Sequence, residues 1–296
     1  MNAPLASTLV LAALASSPSE PAASPAAAVA AAARAAEKGG MVVGVSVLHL
    51  ETGRAAANRG RETFQMASVF KLPVAIAVLD AVEKGTLRLD QEVEIRESDR
   101  REIGPLWDEW KPGLRVTVAR MVDVMLVDSD NTAADRLVSL LGEPAAVERT
   151  LAAKGVAGVR ISLDERGLGE AMKKDLSALE HGRQNGATPD AMAGLLARLF
   201  RGELLSRPST DRILDAMRRC ATSGRRLRAG LPAGTEVFDK TGTLRTCAND
   251  VGIVTLPDGS HVVLAVFVRG GGNAASRERA IASVARAAWE AFAPRR

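Results

Sequence analysis

Tyrosine is absent from this sequence of 296 residues, histidine occurs only at His49, His181 and His261, and cysteine only at Cys220 and Cys247. Any reaction that needs a tyrosine is excluded, and three dispersed histidines are a poor stock for a His-rich metal centre. The cysteines lie 27 positions apart with neither a CxxC pair nor a nearby pair of histidines, so they do not resemble a zinc site. One disulfide or two buried thiols are both compatible with that spacing. No stretch reaches the roughly 20 apolar residues of a membrane-spanning helix. Aromatics make up only 3% of the chain, and its dense basic run, Arg225, Arg226 and Arg228, has none interleaved. With charges of both signs interspersed and a net charge of +4, the pattern argues against a nucleic-acid groove. No metal, cofactor, nucleic acid or membrane span is expected.

What is present is ordinary globular composition, 47% hydrophobic and 25% charged, in a chain long enough to bury a large core. Leu5 to Ala15 is a largely apolar run followed by Ser, Pro and an Ala-rich stretch, the pattern of a signal peptide and linker. No Lys or Arg precedes Arg34, so a disordered leader or a misassigned start codon is the competing reading. Ala26 to Lys38 reads as a helix stopped by Gly39-Gly40, Met41 to Leu50 as a buried strand, and Arg54 to Arg59 as its hairpin partner. Helical patterns then dominate to about Leu205: Val74 to Val82, Val116 to Val127, Ala133 to Leu141, Ala145 to Lys154 and Pro189 to Phe200. Strand patterns return at Thr235 to Lys240, Asp250 to Leu256 and His261 to Val268, before an amphipathic helix from Ala274 to Phe292. This order predicts an α+β fold: one antiparallel sheet built from both termini and flanked by helices, with an all-helical domain inserted. The expected boundaries are a leader over 1–25, a sheet domain over 26–62 and 213–296, and a helical domain over 63–212. A cleft between the two domains is where a site belongs.

Three short motifs carry chemistry. Ser68-Val69-Phe70-Lys71 places a hydroxyl and an amine on one helical face, so Lys71 can reach the Ser68 oxygen. If Ser68 opens a helix, its backbone N–H lies at the positive end of the dipole, where an oxyanion is stabilised. About one Ser-x-x-Lys is expected by chance in a chain of this length, so alone it could be a surface helix start. Ser129-Asp130-Asn131, with a chance expectation of roughly 0.04, sits between two helical patterns, where Asn131 is a candidate cap. Lys240-Thr241-Gly242, at roughly 0.07, ends a strand pattern, and its glycine would let a ligand approach the backbone. A capped turn and an ordinary strand end are the bland readings of these two.

Taken in order, the three motifs resemble the signature of class A serine β-lactamases and penicillin-binding proteins. The resemblance to class A covers essentially residues 26–296, and that family's fold agrees with the organisation read from the elements. A lactamase differs from a penicillin-binding peptidase by a carboxylate that activates water against the acyl-enzyme. Alignment of Leu168-x-Glu170-Ala171 with the family's omega-loop ending puts Glu165 in that role, with Glu170 as the rival. The chain departs from the family pattern in having Gly169 where an Asn usually helps hold the hydrolytic water. It also has a longer stretch from Glu170 to Thr188, similar to a branch with an enlarged omega-loop region, and a short connection between Gly242 and Asn249.

The resemblance implies roles. Ser68 is the nucleophile, and either Lys71 or Glu165 acting through a water takes its proton. Ser68 and Thr243 supply the oxyanion N–H groups, Ser129 passes a proton to the departing nitrogen, and Asn131 bonds the substrate's side-chain amide. Lys240, Thr241 and Gly242 face the substrate carboxylate. Arg226 is either a further carboxylate ligand or a solvated basic residue. Trp107 and Trp110 fall near the family's cleft-mouth aromatic, with a core or interface role as the alternative. The implied protein is a monomeric, periplasmic or secreted enzyme that opens β-lactams and confers resistance to them. A penicillin-binding D,D-peptidase-like hydrolase that deacylates slowly, and a non-catalytic ligand-binding module on the same scaffold, are the competing readings. Within the superfamily, the missing tyrosines set aside the Tyr-dependent class C mechanism, and the scarce histidines a zinc lactamase or a His triad.

Overall fold

The structure, a computed structural model, describes residues 24–175 and 181–294. The expected leader therefore lies outside the described residues, apart from Ser24 and Pro25. Helix α1 (Pro25–Ala36) is followed by β1 (Met41–His49), β2 (Ala55–Asn58) and β3 (Phe64–Gln65). A 3₁₀ turn (Ala67–Phe70) then leads into α2 (Lys71–Glu83). Next come β4 (Glu92–Glu94), α3 (Pro105–Asp108), β5 (Arg115–Thr117), α4 (Val118–Val127), α5 (Asn131–Leu140) and α6 (Pro144–Ala153). After β6 (Val159–Ile161) and α7 (Glu165–Lys174) follow β7 (Asn185–Ala187), α8 (Pro189–Phe200) and α9 (Arg207–Arg218). The chain closes with β8 (Val237–Leu244), β9 (Cys247–Thr255), β10 (His261–Gly270) and α10 (Ala274–Phe292).

The main sheet is antiparallel in the order β2-β1-β10-β9-β8, so both termini build it as anticipated. Its central strands are apolar on both faces because both faces are covered. Val43, Val45 and Val47 of β1 and Val262, Leu264 and Val266 of β10 bury against α1 and α10. Val263, Ala265 and Phe267 of β10 and Val251 and Ile253 of β9 bury into the core that includes α2, α4, α5 and α8. No helix among the described residues is long and apolar enough to cross a membrane.

Where the reading of the elements missed, local chemistry explains the difference. The pattern taken as one helix from Val116 is split: Arg115–Thr117 pairs with Glu92–Glu94, and Thr117 Oγ1 caps α4 by accepting from Arg120 N at 3.2 Å. Helix α7 went unread because Gly167 and Gly169 dilute its helical propensity. Its signals were Asp164, whose Oδ1 accepts from Gly167 N at 2.8 Å, and the terminal Lys173 and Lys174. Helix α9 was also missed, although Pro208 in its first turn is a starting signal. Asn131 does not cap α5. Asp130 does, its Oδ1 accepting from Ala133 N at 2.7 Å, and Asn131 becomes the first helical residue.

One aromatic pair couples the sheet to the turn ahead of α2. Phe64 stacks on Phe267 with ring centroids 5.9 Å apart, and both are buried. Gly44, opposite Phe267 in β1, leaves the room that Phe64 fills, since an added Cβ would lie 2.3 Å from its ring. Phe267→Ala is expected to cost about 3–5 kcal/mol in urea unfolding, because the packed sheet cannot collapse into the space. A loss below about 1 kcal/mol would contradict this account of how the sheet holds Phe64.

Candidate active site

Lys71 opens α2 and its side chain is completely buried. Its ammonium reaches Ser68 Oγ at 3.2 Å, Ser129 O at 2.7 Å and Ser129 Oγ at 3.2 Å, and it also donates to Asn131 Oδ1. Glu165 Oε1 lies 2.9 Å away as an ion-pair partner. Five oxygens thus crowd a group with three hydrogens. The surplus means that a hydroxyl can give its own proton rather than receive one, and Ser68 and Ser129 are the hydroxyls present. The candidates Ser68, Lys71, Ser129, Asn131 and Glu165 therefore meet at one nitrogen, although three separate segments supply them.

Ser68 sits within the 3₁₀ turn rather than at the first residue of an α-helix, and α2 continues directly from it. Ala67 before it and Ser129 across from it both have left-handed backbones, φ 46° and 62°. Such conformations are uncommon outside glycine, and here they flank the two hydroxyls nearest Lys71. Buried Asp130 holds the Ser129 corner. Besides capping α5, its Oδ2 accepts from Leu106 N at 2.7 Å, and burial pushes its carboxyl above the usual range.

Glu165 is the first residue of α7, while Glu170, its rival, is exposed farther along that helix. The structure brings Glu165, not Glu170, to Lys71. Glu165 Oε1 is buried with no protein hydrogen bond, its contact with Lys71 being one of charge alone. Two residues to which sequence reasoning gave no role in the site fix this loop. Asp135 Oδ1 accepts from Glu165 N at 2.6 Å, while its Oδ2 pairs with Arg101 Nε at 2.7 Å. Burial, reinforced by the nearby charge of Asp164, raises the Asp135 carboxyl to about 6. Asn185 Oδ1 accepts from both Ser162 N and Leu163 N at 3.0 Å, and its Nδ2 donates to Leu163 O at 2.8 Å. Asp135 was legible in principle, since it lies four residues past Asn131 on the same helical face. At Gly169 an added Cβ meets nothing within 4 Å, so the space of the family's usual Asn is open.

The third motif lies on β8, an edge strand of the sheet. Lys240 is fully buried and donates to Ser129 Oγ and to Thr241 O, each at 3.0 Å. Burial first, and then the neighbouring charge of Lys71, lowers its pKa to about 8. Thr241 Oγ1 shares a hydrogen bond with Thr222 Oγ1. The glycine of this motif answers a different need from the one expected. A Cβ on Gly242 would lie 2.3 Å from Met66 O and 3.0 Å from Val69 N, so the close approach is to the protein's own Ser68 turn. Asn249 secures the same junction, its Nδ2 donating to Gln65 O at 2.8 Å and to Met66 O at 2.9 Å.

Arg226 is buried, not a solvated loop residue. Its Nη1 donates to Gly242 O at 3.1 Å and Asn249 O at 2.8 Å, and its Nη2 to Thr243 Oγ1 at 2.6 Å. Glu278 of α10 pairs with it at 3.5 Å. Trp107 and Trp110 both lie against the Arg100 guanidinium, 4.1 and 4.7 Å from their ring centroids. Ile103 is the large hydrophobic residue exposed among the described residues, 64% accessible, with φ 75° and its carbonyl accepting from Asn131 N at 3.0 Å. Gly104 must be glycine here, because φ is 111° and a Cβ would lie 2.4 Å from Asp130 Cα. Cys220 and Cys247 are free buried thiols. No cluster of three or more His, Cys, Asp or Glu side chains suited to a metal occurs among the described residues.

Comparison with known proteins bears on the family and the fold. Residues 24–292 match the family model described as the beta-lactamase enzyme family. Beta-lactamase VEB-1 of Pseudomonas aeruginosa is 33% identical over 240 residues, 77% of this chain and 78% of that protein. The crystal structure of a beta-lactamase from Chitinophaga pinensis superimposes with a TM-score of 0.81 at 36% identity, covering 89% of this chain and 97% of that one. A mutant of PBP-A solved as an acyl-enzyme complex with penicillin G superimposes with a TM-score of 0.79 at 26% identity, covering 90% of this chain and 96% of that one. From the span of the family match and these relatives, the chain belongs to the β-lactamase enzyme family.

Proposed function

We propose that this protein is a serine β-lactamase that opens the β-lactam amide through an acyl-enzyme on Ser68 and hydrolyses that ester with a water activated by Glu165. The observation that carries the reading is the buried Lys71 nitrogen, within 3.2 Å of Ser68 Oγ and 2.9 Å of Glu165 Oε1. Ser68 Oγ attacks the lactam carbonyl as its proton passes to Lys71, present as the free amine after giving its own proton to Glu165 Oε1 at 2.9 Å, or to an ionised Glu165 through a water. The backbone N–H groups of Ser68 and Thr243 receive the developing oxyanion. As the ring C–N bond breaks, Ser129 protonates the nitrogen, and its hydroxyl is resupplied from Lys71 or Lys240, at 3.2 and 3.0 Å. Asn131 takes the substrate's side-chain amide, while Lys240, Thr241, Gly242, Thr243 and Arg226 form the end that binds its carboxylate. Glu165 then removes a proton from water as that water attacks the ester. The reading needs no cofactor or metal, and it carries the expectation of an exported monomer conferring β-lactam resistance.

The similarity to PBP-A favours one competing reading, a penicillin-binding D,D-peptidase-like enzyme that acylates but turns over slowly. Nitrocefin turnover followed together with intact mass separates the two, since a lasting adduct on the unaltered protein would overturn the lactamase reading. Ser68→Ala is expected to abolish both turnover and adduct. Unchanged behaviour would support the non-catalytic module instead. Glu165→Gln is expected to slow turnover about 10²–10⁴-fold while the mass of the acyl-enzyme persists. Normal turnover by this variant would remove Glu165 from the mechanism.

The pH response has a predicted sign. Lys240 is cationic below about 8 and loses its charge as pH rises through that value. KM for a carboxylate-bearing β-lactam should therefore climb above about pH 8. Lys240→Arg, whose guanidinium stays charged, should move that limb upward. An alkaline limb identical in the two proteins would exclude Lys240 as its source.

A further inference from the structure

Behind the edge that carries Lys240, Thr241 and Gly242, two aspartates occupy one face of β8 and β9. Asp239 lies opposite Gly252 and Asp250 opposite Thr241, so the two carboxyls are diagonal neighbours. Both residues are completely buried. Asp239 Oδ1 accepts from Arg228, 2.6 Å from Nη2 and 3.0 Å from Nε, and Asp250 Oδ2 accepts from Leu227 N at 3.1 Å. The other oxygen of each, Asp239 Oδ2 and Asp250 Oδ1, is buried without a donor. Residue 252 must be glycine to allow this, since an added Cβ would lie 2.9 Å from Asp239 Cβ.

Two orphaned acceptors on diagonal positions of one sheet face in a dry interior are a costly arrangement, and two carboxylates sharing one site do not both ionise. A single proton removes both problems. We infer that Asp239 and Asp250 hold one proton between them, donated from Asp250 Oδ1 to Asp239 Oδ2, and that this acid pair positions the segment carrying Arg226. The assignment follows from the partners: Asp239 faces the Arg228 guanidinium, which stabilises a carboxylate, whereas the direct donor to Asp250 is a neutral backbone N–H. Burial, with the charge of Asp239, pushes Asp250 well above the usual carboxylate range. The other charged or titratable groups acting on the pair are Arg226 and Arg228 from the preceding loop, Lys240 on β8, and Cys220.

The consequence reaches the site through the chain. The pair grips Leu227 and Arg228, the two residues that follow Arg226, whose guanidinium holds Gly242 O, Asn249 O and Thr243 Oγ1. Asp239 and Asp250 are thus positioning residues for the carboxylate-binding end, an inference that rests on the proposed reading of Arg226 and Thr243.

The shared proton is tested without substrate. At pH 8, about two units above the Asp135 carboxyl, the infrared spectrum of the unliganded protein should contain the carbonyl stretch of a protonated carboxylic acid that shifts in D₂O and vanishes in Asp250→Asn. Absence of that band from the unaltered protein, or its persistence in Asp250→Asn, overturns the inference whatever the enzyme hydrolyses. The positioning role is read in kinetics. Asp250→Asn keeps an acceptor for Leu227 N–H and a donor for Asp239, so KM should stay within about twofold, whereas Asp250→Ala should raise KM about tenfold with a much smaller change in acylation rate. A band that behaves as expected, with KM unchanged in Asp250→Ala, overturns the positioning role alone.

Discussion

The amine of Lys71, held entirely out of water, is the constraint around which this structure is organised. An ammonium in a dry interior is tolerated only when oxygens replace its hydration, and a single partner is not enough. Here the replacement comes from the Ser68 turn, from the Ser129 corner with the start of α5, and from the start of α7. Each of those segments is in turn pinned by its own buried polar residue. Asp130 holds the Ser129 corner, Asp135 holds the Glu165 backbone, and Asn249 holds the strand end that leads into the Ser68 turn. The site is therefore the meeting point of elements whose mutual placement satisfies one buried cation.

The sheet supplies the other half of that placement. Edge strand β8 presses so closely on the Ser68 turn that only glycine fits at 242, and Arg226 and Asn249 tie the contact from behind. A second buried lysine, Lys240, then shares the Ser129 hydroxyl with Lys71. Two cations near one hydroxyl repel each other, which helps lower the Lys240 pKa. The cluster thus holds hydroxyls and amines of closely matched reach, with buried aspartates on the far side of β8 anchoring the loop that bears Arg226.

Much of the fold was legible because its signals are local. Pro189–Phe200 and Ala274–Phe292 have the bounds that the apolar spacing and the flanking residues indicate, and the strands of the two termini stand out as valine-rich runs. Elements that failed to register are those where local propensity and tertiary placement disagree. Helix α7 contains two glycines and is held by Asp135 and Asn185 from outside it, and the short strands β3, β6 and β7 exist only as a paired group. In the site, the three motifs were readable, but what supports them was not, because the contacts that Asp135, Asn185 and Asn249 make are with backbone groups distant in sequence. Ile103 was unreadable for another reason: its exposure follows from a strained backbone next to Gly104 and not from any pattern of types.

By itself, then, the sequence determined the chemical inventory, the class of fold and the three motifs whose residues meet around Lys71, since composition and spacing act through short-range geometry. Only the tertiary structure decided which carboxylate meets Lys71, that Gly242 serves the protein's own backbone, that Arg226 is buried, and that both thiols stay free. Each of those outcomes depends on distances between segments tens of residues apart. Such distances are set by how the two faces of one sheet bury their side chains, which no local pattern encodes.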